Sequence, residues 1–140
     1  MRILSITAQK PHSTGSGVYL TETVRGFKEL GHTQAVIAGV TREDSVKLPE
    51  GVGFYPVYYN SPELPFPVCG MSDEMPYEST RYRYMKPDMV DKFEAAFGSA
   101  VLRVVKEFRP DVVICHHLYL LAAIVREKLQ DMAVWGICHG

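Results

Sequence analysis

Two short stretches of this chain carry the residue types that do chemistry. Ser13-Thr14-Gly15-Ser16-Gly17 mixes glycines with hydroxyl side chains, and Cys115-His116-His117 is matched further on by Cys138-His139. Small residues opening a helix leave backbone N–H groups and the positive end of the helix dipole facing an anion, phosphate above all. The same residues suit a tight strand-to-helix turn capped by Ser13, Thr14 or Ser16, and local sequence weighs the two readings evenly. The imidazoles of His116, His117 and His139 can donate a hydrogen bond or exchange a proton near neutral pH. A lone histidine is more often a helix cap or a satisfied core residue than a catalyst, and His117, just before the apolar run from Leu118, suits the cap best.

Other chemistries fit less well. The clustered Cys and His residues have the right types for zinc, but their spacing matches no metal motif, so no metal is assigned and Cys115 and Cys138 read as small apolar core residues. Gly15-Ser16-Gly17-Val18-Tyr19-Leu20 has Leu20 in place of the third glycine of the dinucleotide fingerprint. Gly39-Val40-Thr41 also lacks the acidic residue that would hold a ribose, which argues against a nicotinamide dehydrogenase. A Gly-x4-Gly-Lys-Ser/Thr sequence is missing as well, which removes the P-loop reading. Between Met75 and Lys86, Arg81 and Arg83 alternate with Tyr77, Tyr82 and Tyr84, able to stack on a sugar or base and to grip phosphate. Asp73, Glu74 and Glu78 offset those cations; a surface loop pinned by its tyrosines is the simpler reading, and acceptor recognition is a further use.

The elements that must position these groups alternate along the chain. Arg2 to Ala8 reads as a buried first strand, and from Val18 the positions Leu20, Val24, Phe27 and Leu30 predict an amphipathic helix stopped by Gly31. Gln34 to Val40 and Phe54 to Tyr59 predict two more strands. Prolines 62, 65, 67, 76 and 87 predict a long irregular excursion over 60–87, of the kind that forms lids or binding loops. Asp88 can cap a helix with the stripe Val90, Phe93, Phe97, Val101, Val104 and Phe108, ended by Arg109-Pro110. Asp111 to His116 is a fourth strand, Leu118, Leu121, Val125 and Leu129 mark a helix, and Ala133 to Cys138 is a fifth strand. Strands alternating with helices, apolar on both faces, predict one α/β domain: a doubly wound, Rossmann-like parallel sheet of at least five strands, covered on both sides. In such sheets ligands lie beyond the carboxyl ends of the strands, where connections switch sides; the common order puts Gln9 to Gly17 and Cys115 to Leu118 there, with His139 beside them.

Composition sets the bounds. With 140 residues, 46% of them hydrophobic and 22% charged, the chain can bury a core without a disulfide or metal staple. A net charge of −1 gives no global field for nucleic acid, so no nucleic-acid partner is expected. Three cysteines form no disulfide framework, which with the lack of an export signal makes the cytoplasm the expected location. The apolar run from Leu118 to Val125 falls short of the roughly 18 to 20 residues of a membrane span, so no integral membrane segment is expected. A final strand followed only by His139-Gly140 reads as a truncated sheet, the alternative being a short domain with that strand at the edge.

Taken in order, Met1-Arg2-Ile3-Leu4, Pro11 with Thr14-Gly15-Ser16-Gly17-Val18, Glu29-Leu30-Gly31-His32, Arg109-Pro110-Asp111 through His116-His117, and Cys138-His139-Gly140 resemble a known family. It is the amino-terminal, acceptor-side half of a retaining glycosyltransferase of GT-B architecture, in the large group 1 family. The resemblance implies that Gly15, Ser16 and Gly17 face the diphosphate of a nucleotide-diphosphate sugar, although the family usually has two adjacent glycines where Ser16 intervenes here. It implies that His139 lies beside the transferred sugar as the catalytic residue, and that His116 and His117, with Arg81 and Tyr82 of the aromatic loop, lie on the acceptor side. The nucleotide sugar enters as substrate, so no cofactor is implied; the acceptor is a hydroxyl on a glycan or lipid-linked sugar, the latter bringing contact with the inner membrane face. The family's second domain, with its nucleotide pocket and Glu-x7-Glu segment, does not occur in these residues, so the chain is not expected to turn over alone. A stand-alone nucleotide- or anion-binding module and half of a nucleotide-sugar epimerase are the competing readings.

Overall fold

The computed structural model describes residues 1–139; Gly140, one residue of the family resemblance, lies outside the described residues. β1 (Arg2–Thr7), β2 (Thr33–Val40), β3 (Gly53–Tyr58), β6 (Val112–His116) and β7 (Ala133–Ile137) form one sheet in the order β3-β2-β1-β6-β7, with every pairing parallel. The chain winds outward from β1 in one direction, returns to β6 on its other side and continues to β7. This is the expected doubly wound sheet, and its switch point falls between β1 and β6.

Three helices cover the sheet. α1 (Gly15–Glu29) follows β1, α2 (Pro87–Phe108) precedes β6, and α3 (Leu120–Lys128) precedes β7. The predicted stripe of α2 buries Phe93, Phe97, Val101 and Val104 against Leu4, Ile6, Ile37 and Val113, in a core that α3 extends with Leu121 and Val125. On the opposite face α1 builds a smaller cluster, Leu20 and Val24 on Val36 and Ala38. Coverage is less complete than the sequence implied: edge strand β7 leaves Trp135 68% exposed and Cys138 exposed, so Cys138 is not a core residue, whereas Cys115 is.

Local chemistry explains where the elements end. Gly31 stops α1 at φ 85°, a left-handed position that glycine enters without a side-chain clash. Asp88 does not cap α2; Lys86 holds the cap position, Pro87 opens the helix where its missing N–H costs nothing, and Asp88 complements the dipole in the first turn. The Arg109-Pro110-Asp111 run also has a structural task. Arg2 N–H donates to Asp111 Oδ2 at 2.7 Å and Asp111 N–H donates to Arg2 O at 2.7 Å, which aligns the starts of β1 and β6.

The segment over 60–87 is more ordered than its prolines suggest. It contains β4 (Cys69–Gly70) and β5 (Thr80–Arg81), paired in parallel, and a 3-10 turn at Tyr82–Tyr84. It also buries Leu64, Phe66, Val68 and Cys69 in the main core, so it is a packed flap rather than a loop pinned by tyrosines alone.

Candidate functional site

The site forms where β1, β6 and β7 end together. Thr14 is the N-cap of α1, and its Oγ1 accepts from Gly17 N–H at 3.2 Å while its carbonyl accepts from Val18 N–H. The helix therefore begins at Gly15, three residues before its predicted start at Val18, and the glycine-rich stretch is its first turn. Gly15 and Ser16 N–H have no protein acceptor among the described residues and sit at the positive end of the helix dipole. Gly17 does something else. A side chain there would lie 2.8 Å from Lys10 O and 2.9 Å from His12 N, so this glycine lets α1 press against the backbone leaving β1. Of the three residues expected at a diphosphate, Gly15 and Ser16 keep open N–H groups and Gly17 is committed to packing and capping.

The histidines converge on that helix end. His116 is the last residue of β6, and its side chain points to the face carrying α1, 4% exposed. His117 does not cap α3, whose N-cap is Tyr119. It adopts φ 71° instead, unusual for a residue with a side chain, and its N–H donates to Ile137 O at 3.0 Å. That turn brings His117 Nε2 to 3.0 Å from Ser16 Oγ. His139 completes the group: its Nε2 is 3.3 Å from His116 Nδ1, their rings stack 14° from parallel, and its ring centroid is 4.7 Å from that of His117. Tyr19, on the second turn of α1, sets its ring edge-on to His139 at 5.2 Å.

Electrostatics keep the cluster uncharged. Burial lowers His116 to about 4, and the neighbouring His139 and His117 push the same way, because an imidazolium here would lose water and face two further imidazoles. Burial also lowers His117, with His139 adding to it, and burial lowers His139. At neutral pH the three rings act as neutral donors and acceptors. No group of three His, Cys, Asp or Glu able to hold a metal occurs among the described residues.

An open cleft of about 550 Å³ lies over these groups, lined by Gln9, Thr14, Gly15, Ser16, His117 and His139, with Met71, Ser72, Glu74, Met75 and Pro76 contributed by the flap. Lys10, which the sequence did not single out, fastens the near wall. Its ammonium meets Asp44 Oδ1 at 2.8 Å and lies 4.7 Å from the centre of the Tyr77 ring, tying the β1–α1 loop to the β2–β3 loop and the flap. Burial alone would raise the Asp44 carboxyl, but the Lys10 and Thr41 hydrogen bonds outweigh it and hold Asp44 below its ordinary value. Tyr19 and Asp44 were also missed; Tyr19 had a detectable signal, since it stands on the exposed side of α1 one turn after Ser16.

The flap residues expected on the acceptor side do not reach the histidines. Arg81 is exposed and donates to Asp73 O at 3.1 Å, and both it and Arg83 lie within ion-pair distance of the Asp73 carboxylate. Tyr82 packs edge-on against Tyr119 at 4.6 Å and against Phe93 at 6.4 Å. Both line a smaller pocket of about 230 Å³ that shares Met71 and Ser72 with the histidine cleft.

No protein-family model matches the chain, and no curated protein matches it in sequence. Solved structures do match. Sucrose-phosphate synthase from Thermosynechococcus elongatus superimposes with a TM-score of 0.65 at 9% identity, over 100% of this chain and 33% of that one. UDP-GlcNAc 2-epimerase from Neisseria meningitidis, solved with UDP-GlcNAc bound, gives 0.58 at 13% identity, over 98% of this chain and 32% of the epimerase. The C-terminal domain of a hydrogenase from Pyrococcus furiosus gives 0.55 at 14% identity, over 99% of this chain and 90% of that domain. The chain spans about a third of the length of the synthase and the epimerase. At these identities the likeness is one of fold, and the fold is a Rossmann-like α/β domain built on a five-stranded parallel sheet.

Proposed function

We propose that the chain is the acceptor-side domain of a retaining glycosyltransferase that moves a sugar from a nucleotide-diphosphate donor to a hydroxyl. The observation that carries this reading is the meeting of the open α1 N-terminus with His117 and His139 in one cleft at the strand ends. In the transfer, the bond from the sugar's anomeric carbon to the diphosphate breaks, a bond to the acceptor oxygen forms, and the hydroxyl proton is released. Negative charge grows on the departing diphosphate, and Gly15 and Ser16 N–H with the helix dipole are already oriented to receive it. His139 orients the sugar. His117, held by Ser16, and His116 behind it offer neutral hydrogen-bonding groups to the acceptor side. The motif series and the fold likeness to sucrose-phosphate synthase support the same reading.

A second domain must supply the nucleotide pocket, so calorimetric titration of this chain with nucleotide sugars should show weak or undetectable binding. Micromolar binding by the chain would favour the stand-alone module. In the complete enzyme, His139→Ala should lower turnover by about 100-fold, the scale of losing one polar group aligned on the transition state; near-normal turnover would remove His139 from the reaction. The fold likeness to UDP-GlcNAc 2-epimerase favours a second reading, half of a nucleotide-sugar epimerase. Product analysis separates them, since an epimerase returns an isomerised nucleotide sugar without any acceptor.

A further inference from the structure

Two further concavities adjoin one another beside the histidine cleft. Met71 and Ser72 line both that cleft and the pocket holding Arg81, and Tyr82 and Tyr119 line both that pocket and a groove of about 470 Å³ beyond it. The three concavities are thus neighbours, with Met71 and Ser72 between the first two and the Tyr82–Tyr119 ring contact between the second and the groove. The chemistry changes along the series. The first cleft offers hydroxyls, imidazoles and backbone N–H groups, whereas the groove is walled by Tyr82, Met85, Val90, Leu118, Tyr119 and Leu120.

Its rim is expensive to leave in water. Leu118 is 59% exposed and Tyr119 50% exposed, although the apolar periodicity of the sequence would place Leu118 in the core stripe of α3. The left-handed turn at His117 explains the departure. By aiming the imidazole at Ser16 it delays α3 to Leu120 and leaves Leu118 and Tyr119 outside the helix, at the groove. One backbone feature therefore sets both the polar group of the cleft and the apolar rim next to it. A volume of about 470 Å³ lies in the roughly 300–1,000 Å³ range of small-molecule sites, which are mostly apolar with a few polar groups at one end.

We infer that this groove is the subsite for an apolar aglycone, a hydrocarbon or aryl group attached to the hydroxyl-bearing part of the acceptor. Naming the occupant an acceptor rests on the transferase reading above; the apolar subsite itself does not. The occupant's polar end lies toward His117 and His139, and its apolar end covers Leu118 and Tyr119. Transfer of such a group from water to the groove follows the apolar area removed, so affinity should rise with the length of an alkyl aglycone until the groove is filled.

Saturation-transfer NMR on the full chain, with octyl β-glucoside below its micelle concentration and glucose as control, tests this without donor or turnover. Transfer should be strongest to the octyl protons and weak to glucose. Ala123→Arg, at an exposed position of α3 lining the groove, should cut the octyl signal about tenfold by filling the space. Leu118→Ser, also exposed, should weaken it while leaving the fold intact, and Arg103→Ala, in the β3-edge cleft, should leave it unchanged. Equal transfer in Ala123→Arg, equal transfer to glucose, or binding to phosphatidylglycerol vesicles without binding to monomeric octyl glucoside would overturn the proposal. Octyl binding in a complete protein that transfers no sugar would sink the transferase reading and leave the groove. Sugar transfer with no preference for alkyl acceptors would do the reverse.

Discussion

Two clefts of similar size face solvent on opposite parts of this molecule. The histidine cleft is about 550 Å³; the other, about 620 Å³, lies between the β3 edge and α2 and is lined by Arg42, Lys92 and Arg103 with Glu63 as its acid. By charge alone the second would be the anion site. Its cations are exposed, however, and none of the three pairs with a carboxylate among the described residues; Arg42 instead lies over the Tyr58 ring at 4.3 Å. Charges on mobile side chains in water attract an anion by only about 1 kcal/mol at 4 Å and fix no geometry. The histidine cleft carries no lysine or arginine in its lining, yet its donors are backbone N–H groups of a capped helix and rings locked by neighbours. On the proposed reading, the difference teaches that orientation built into the fold at the sheet's switch point weighs more than volume or charge.

Acid separates the two clefts most strongly. Burial keeps His116 neutral down to about 4, whereas in the unfolded chain it takes a proton near 6.5. The unfolded state thus binds more protons in that window, so stability is complete above about pH 6.5 and falls as pH is lowered toward 4. The loss should reach about 3 kcal/mol, and His117 and His139 contribute in the same direction. Chemical denaturation across pH should show this slope, and His116→Gln should flatten it; an unchanged slope in His116→Gln would mean the rings are not coupled to folding. The β3-edge cleft has no histidine in its lining and should not respond there.

Packing gives the next contrast. Gly17→Ala places a methyl against the Lys10 and His12 backbone and should cost about 2 kcal/mol, seen as a lower melting temperature together with loss of the His117–Ser16 contact. Arg103→Ala, on the exposed side of α2, should change stability by less than about 0.5 kcal/mol. A larger loss at Arg103 than at Gly17 would reverse the comparison.

Much of this arrangement was legible in the sequence, and the exceptions share a cause. Periodicity located the core stripe of α2 and the parallel strands because burial on both faces leaves continuous apolar runs. Residue type and the family resemblance singled out Gly15 and His139, and the topology brings both to the carboxyl ends of the strands. What escaped was set by backbone conformations and long-range contacts that no local pattern encodes. The φ of 71° at His117 turned an expected cap into a cleft residue and pushed Leu118 out of the α3 stripe. The burial of Leu64, Phe66 and Val68 ordered a proline-rich segment that local rules read as irregular. Lys10 and Asp44, 34 residues apart, meet only because the β1–α1 and β2–β3 loops share an edge. Trp135 stayed exposed because β7 is an edge strand that no helix among the described residues covers on the face carrying α1, and Cys138 because it lies beyond the end of β7.

The central claim is that a diphosphate is received by the open α1 N-terminus and not by the more cationic cleft. Two-dimensional amide NMR of the chain, titrated with millimolar inorganic diphosphate, tests it most directly. The account predicts that the amides of Gly15, Ser16, His117 and His139 shift most, and that Ser16→Pro, which removes one of the two open N–H groups, reduces the shift at Gly15. Shifts centred on Arg42, Lys92 and Arg103, with Gly15 and Ser16 unmoved, would contradict it.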